Sequence, residues 1–309
     1  MRRKFFIVFM LISLFLIACG QNGKKPVDPV DNAAAQLKLK EEEEERKLEQ
    51  EERFERRTKI VDIKRNGIPS EVIEILKEYR KGPSKLKGIY EYYAYSYYDD
   101  IFGSINEVFK KVPYKNGVDD NGNEFVYSDI RDKTTADVAA RQAAREEVLL
   151  AFGYSSGFAR AFGELAKKLV ETSALLTKNK DKLKDLLIKI RDCAKAYYLD
   201  AYDTLENKLG ILELLSAAEV KSLHDNLDLL KTEREKLVSN VVEPLKDKYP
   251  IIGECLADPA SSSISNTLTA DEIETYWDTL SAEFDSICAE IIRISGEIKG
   301  ILDNIKVKG

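Results

Sequence analysis

The chain has 309 residues, with 54 acidic and 48 basic side chains, four cysteines and one histidine. Its net charge of −6 disfavours nucleic acid and anionic lipid surfaces, which both reward a basic partner. With His224 alone and no Cys-x-x-Cys pair, a zinc site of the usual kind is excluded.

Residues 1–18 read as a secretory signal peptide. Met1-Arg2-Arg3-Lys4 is a basic start, and Phe5 to Ala18 is apolar and uncharged. The run is shorter than the ~20 apolar residues that cross a bilayer. Leu16-Ile17-Ala18-Cys19 has the form of a bacterial lipobox. In that chemistry the Cys19 thiol is linked to diacylglycerol and becomes the first residue after cleavage. At ~0.8 kcal/mol per buried methylene, one acyl chain holds marginally and two or more hold firmly. The sequence thus predicts an exported protein anchored in a membrane by its N-terminal lipid. Loss of Arg2, Arg3 and Lys4 makes the mature chain still more acidic.

Residues 19–36 carry Gly, Pro, Asn and Asp without apolar periodicity, the composition of a disordered tether. Residues 37–66 read as a charged helical stalk. Glu42/Arg46, Glu43/Lys47, Glu49/Arg53 and Glu52/Arg56 follow the favourable acid-before-base order one turn apart. Leu37, Leu48 and Phe54 are too sparse to form an apolar stripe, which leaves the helix polar nearly all round. Asn66-Gly67-Ile68-Pro69 ends it, and residues 67–309 are expected to form a helical bundle.

A short amphipathic helix is expected over 70–81. Residues 84–111 are rich in aromatics. If that stretch is one helix, Tyr90, Tyr93 and Tyr97 share a face with Ile101, Ile105 and Val108. Tyr92, Tyr95 and Tyr98 then point elsewhere. Tyrosine offers rigid amphipathic contact area and is enriched at interface hot spots, so these three are the candidate partner-binding residues. Packing of both faces inside the bundle remains the alternative.

Pro113 to Arg131 is turn-dense and suits a small hairpin. Asp119, Asn121 and Asn123 have the spacing of a calcium loop. However, Glu124 stands where glycine is needed and Ile130 where a bidentate Glu is needed, so no calcium site is expected. Gly153-Tyr154-Ser155-Ser156-Gly157 matches G-x-S-x-G, which in hydrolases needs a strand before the serine. The preceding Ala139 to Phe152 favours helix, so Ser155 is expected to be a helix kink or close-approach site and not a nucleophile.

From Thr134 onward every segment favours helix. Leu183, Leu186, Leu187, Ile190, Ala194, Tyr197, Ala201, Leu205 and Leu212 form one stripe. Ser216/Glu219 and Thr269/Glu272 are capping boxes. Ile273, Trp277, Leu280, Phe284, Ile287, Ile291, Ile294, Ile298, Ile301 and Ile305 recur at alternating steps of four and three. That is the seam of a helix packed along its length. The expected fold is therefore an all-α antiparallel bundle behind a stalk and lipidated tether. Counting back from the turn near Leu215 brings Cys193 level with Cys288. Two half-buried thiols are expected there, with a disulfide as the alternative. His224 is expected on an exposed helix face.

The signal, the lipobox from Leu16 to Cys19, the tether, the stalk and the Lys/Glu-rich helical domain together resemble plasmid-encoded outer-surface lipoproteins of Borrelia. The nearest kinds are their immunogenic-antigen paralogues and helical complement-regulator-acquiring proteins. The resemblance implies a non-enzymatic surface protein that binds a host complement component, immunoglobulin or matrix protein. The residues themselves offer no credible cofactor or metal site, and neither nucleic acid nor a small-molecule substrate is expected. A structural lipoprotein that pairs with another envelope protein is the alternative.

Overall fold

A computed structural model describes residues 29–81, 105–127, 135–154, 156–248 and 268–305. Among these residues the chain is helical apart from one two-stranded hairpin. The all-α bundle expected from the sequence is therefore the fold.

Helix α1 (Pro29–Asn66) begins inside the segment read as tether. Proline is tolerated in a first helical turn and Ala33, Ala34 and Ala35 are strong helix formers, so the local sequence favours this start. The chain divides into two compact units, residues 1–55 and 56–309. In the first, every side chain from Gln36 to Glu55 is exposed. Ion pairs Glu42–Arg46, Glu43–Lys47 and Glu49–Arg53 run along it at 3.7, 3.1 and 3.9 Å. Pairs this exposed contribute little each, and α1 has no apolar face here to bury.

The second unit takes in the last turns of α1. Ile60 and Ile63 are buried there, 4% and 2% exposed. Arg56 Nε donates to the Leu215 carbonyl at 3.0 Å, and Asp62 Oδ2 lies 2.9 Å from His224 Nε2. Gly67 ends the helix by donating to the Ile63 carbonyl at 2.9 Å. A Cβ at Gly67 would stand 2.4 Å from that oxygen, so only glycine fits. Helix α2 (Ser70–Lys81) then buries Val72 and Leu76, over the residues expected.

Residues 105–109 are helical and lead into β1 (Pro113–Val118) and β2 (Glu124–Val126). Helices α3 (Thr135–Ala151) and α4 (Ser156–Lys168) follow, with Gly153 and Tyr154 in the left-handed region between them at φ +60° and +56°. Helix α5 (Ser173–Ala194) starts at the Thr172 cap. It continues into a π-helical stretch (Lys195–Asp203), α6 (Thr204–Lys208) and a 3₁₀ turn (Leu209–Leu214). Helix α7 (Ala217–Leu237), a second π stretch (Val238–Val242) and α8 (Glu243–Lys248) lead to the long α9 (Ala270–Asp303). Both predicted capping boxes, Ser216/Glu219 and Thr269/Glu272, are formed.

Helix α9 packs along α7 and the first π stretch. Its seam buries Ile273, Phe284, Ile287, Ile291, Ile294, Ile298 and Ile305. At the end Leu302, fully buried, takes the inward place beside the half-buried Ile301. A straight helix at 3.6 residues per turn drifts off a 3.5 repeat, and by the last turns the inward direction has moved one residue on.

A second, smaller core gathers Ile105, Val108, Phe109, Tyr114, Tyr127, Val148, Phe152 and Leu187. No described helix is long and apolar enough to cross a membrane.

Candidate functional site

The hairpin presents an exposed turn among the described residues of the second unit. Its strands pair antiparallel, Pro113 opposite Val126 and Val118 opposite Glu124, with a bulge between. Gly117 and Gly122 lie at φ +96° and +79°, where a side chain would strain the turn. Asp119, first residue of the abandoned calcium pattern, turns the chain instead. Its Oδ1 accepts from the Asn121 and Asn123 backbone N–H groups at 2.9 and 2.8 Å. Those donors, Asn123 foremost, hold its carboxyl below the ordinary range. Among the described residues no cluster of potential metal ligands occurs.

The hairpin tip is exposed from Lys115 to Val118 and from Asp120 to Gly122, and its base is fixed. Tyr127 stacks on Phe109 at 4.7 Å and meets Tyr114 edge-on at 5.8 Å. Arg191, from the last turns of α5, donates to the Tyr114 carbonyl at 2.8 Å and to Glu147 at 2.8 and 2.6 Å. Arg145 donates to the Tyr127 carbonyl at 2.9 Å. On the flank Lys180 pairs with Glu124 at 2.8 Å, and the Lys115 ammonium sits 3.8 Å from the Phe125 ring centroid. A rigid footing under a polar, exposed turn loses little entropy when a partner is bound, and so suits a contact surface.

A family model described as Borrelia Bbcrasp-1 domain containing protein matches residues 92–303. The chain belongs to this Borrelia family. No curated protein and no solved structure matches it. The family span takes in the hairpin, the bundle from there to the end of α9, and the positions of Tyr92, Tyr95 and Tyr98. Cys19 and α1 precede it.

Cys19, Tyr92, Tyr95, Tyr98 and Ser155 all lie outside the described residues. The setting of Ser155 is nevertheless visible on both sides. Helix α3 precedes it through the left-handed Gly153-Tyr154 pair, and α4 follows at Ser156. A nucleophile elbow is a strand-to-helix turn; this is a helix-to-helix turn. Glu146, on α3, is pushed up by burial despite accepting from the Tyr154 hydroxyl at 3.2 Å.

His224 differs from expectation. It is not on an open face but half-buried against α1, with Asp62 at 2.9 Å and Asp228 at 3.4 Å. The cause is the docking of α1's last turns on α7, which α7's own periodicity does not disclose. Cys193 and Cys288 do meet, buried and as free thiols. The hydrogen bond between them lowers Cys193 and raises Cys288. Arg191 escaped the sequence reading altogether. Its only signal is a charge two residues before Cys193, beside the apolar stripe of α5.

Proposed function

We propose that this protein is exported, anchored through lipid on Cys19 and displayed on the outer surface, where residues 67–309 bind a host protein. The observation that carries the reading is membership of a Borrelia Bbcrasp-1 domain family over residues 92–303. The all-α bundle with a fixed exposed hairpin, preceded by a helical stretch that is exposed from Gln36 to Glu55, agrees with a binding role. The host ligand is a complement component, immunoglobulin or matrix protein, and Tyr92, Tyr95 and Tyr98 supply part of the contact.

The experiment is capture from host serum on immobilised mature chain, followed by affinity measurement with the retained protein. Replacing Tyr92, Tyr95 and Tyr98 together by Ser is expected to weaken binding by roughly thirtyfold or more, the loss of at least one hot spot. Unchanged affinity in a folded triple variant would move the contact to the hairpin at 113–127. Retention of no serum protein would remove the host-binding reading and leave the envelope-partner alternative.

A further inference from the structure

Cys193, in the last turn of α5, and Cys288, midway along the α9 seam, meet in the large core. They are 6% and 1% exposed. A single buried cysteine behaves as a small hydrophobe, and its packing accounts for it. Two in hydrogen-bond contact from different helices are another chemical object, because their sulfurs can react with each other. The Cys288 S–H donates to Cys193. That bond holds Cys193 below its ordinary value despite burial and holds Cys288 above its own. The surrounding charges are of both signs, with Arg234 and Asp192 acting on Cys193 and Lys189 and Asp285 acting on Cys288. Zinc binding does not account for the contact. A structural zinc takes four ligands, and the described residues bring no third to these two.

A disulfide sets its sulfurs about 2.05 Å apart and its β-carbons about 3.8 Å apart, so thiols already in hydrogen-bond contact close by turning about their Cα–Cβ bonds. The fold leaves space for that turn. A cavity of about 100 Å³ reaches both cysteines and runs beside Tyr197, Trp277 and Phe284. Closure therefore does not have to force packed side chains apart.

We infer that Cys193 and Cys288 close into a disulfide that staples α5 to α9 once the chain reaches an oxidising compartment. The inference rests on the export proposed above for where the oxidant is met, and on the contact between the two thiols for the bond itself. Disulfides form and persist outside the reducing cytoplasm. The oxidant is a second disulfide, R–S–S–R. The Cys193 thiolate attacks one of its sulfurs, the S–S bond breaks, and one R–S⁻ leaves and takes the proton that Cys193 gave up. Cys288 then has no Cys193 thiolate to donate to and is free to lose its own proton. Its thiolate attacks the Cys193 sulfur, and the second R–S⁻ leaves and takes that proton. Two protein thiols are oxidised, and one R–S–S–R is reduced to two R–SH. The bond closes a loop of about a hundred residues, α7 among them, which restricts the unfolded chain far more than the folded one.

The test uses the full mature chain with Cys19→Ser and Cys255→Ser, which leaves only this pair to react. The chain is refolded in equal concentrations of glutathione and glutathione disulfide, quenched with acid, alkylated and mapped by mass spectrometry. A peptide linked through Cys193 and Cys288 is expected in most of the chain. Its thermal midpoint should stand roughly 5 °C or more above that of the same chain refolded with glutathione alone. Cys288→Ala should abolish the difference between the two buffers. Two free thiols after oxidative refolding would overturn the inference, and so would a linked chain that melts below the reduced one. The unmodified protein, alkylated in acid as cells are lysed, gives the second arm. A linked peptide there supports closure, and a lipid-labelled chain with both thiols free would overturn it. Absence of lipid on Cys19 would instead remove the export reading, and the refolding result would still decide the pair.

Discussion

The two hydrophobic cores of the second unit are built on different plans and share helix α5. Beyond Cys193 that helix feeds the large core. There Tyr197, Ala201 and Leu205 meet Leu223, Leu230, Ile291, Ile294 and Ile298 from α7 and α9. Before it, Leu183 and Leu187 feed the small core under the hairpin, where aromatic rings replace the aliphatic seam. The large core is redundant, for every turn of α9 brings another apolar residue to the same face. The small core is tied by two guanidiniums, Arg191, which joins β1, α3 and α5, and Arg145, which holds the Tyr127 carbonyl. The first plan holds a bundle together, and the second holds a projecting loop in place.

The difference predicts unlike failures. Ile291→Asp would bury an unpaired charge at a position 1% exposed in the centre of the α9 seam. A loss of about 4 kcal/mol or more is expected. Because both α7 and α5 rest on that seam, the whole second unit should melt as one. Urea unfolding followed by far-ultraviolet circular dichroism would show it, and a wild-type midpoint in this variant would contradict the seam.

Arg191→Ala should cost less and act locally. The side chains of Arg191 and Glu147 are each 14% exposed, and removal of Arg191 leaves Glu147 only the more distant Lys195, at 3.7 Å. A loss of about 3 kcal/mol is expected, and Arg191→Met with Glu147→Leu together should recover much of it. Hydrogen exchange separates this case from the first. Amides of 113–127 should lose protection while those of α9 keep theirs. Equal loss in both would merge the two cores into one cooperative body.

The same contrast governs what could be read from the sequence. The α9 seam and its Thr269 cap, the Ser216 cap and helix 70–81 were legible because each is fixed by residues close in the chain. The Cys193–Cys288 contact was legible because a turn of known place lets two helices be counted against each other. Tyr198 and Tyr202 were not, since the stripe of α5 was extended at 3.6 residues per turn. The π stretch inserts extra residues and brings Ala196, Tyr197, Tyr198, Ala201 and Tyr202 all inward. Nothing local announces it. His224 and Arg191 were missed for a related reason, because their partners lie far away in sequence and are set by how α1 and the hairpin dock.

The smallest expected effect concerns how helices start in the two cores. Helix α5 is capped by Thr172 alone, whose hydroxyl accepts from Leu175 N–H at 3.3 Å. Helix α7 has a reciprocal box. Ser216 Oγ accepts from Glu219 N–H at 3.3 Å, while Glu219 Oε2 accepts from Ser216 N–H at 2.7 Å. Replacing either cap residue by Ala should cost about 1 kcal/mol near neutral pH. Their acid behaviour should part. The Ser216 hydroxyl, and after it the Ser216 backbone, hold the Glu219 carboxyl below its ordinary value. A carboxyl lowered by folding contributes stability above its unfolded value and loses it as pH falls through the folded one. The penalty of Ser216→Ala should therefore narrow as the solution is acidified through the carboxylate range. That of Thr172→Ala should not, because no acid stands at its third position. Thermal midpoints of both variants against wild type, near neutrality and near pH 3, measure the difference. A parallel response in the two would show that the box adds nothing beyond its hydroxyl.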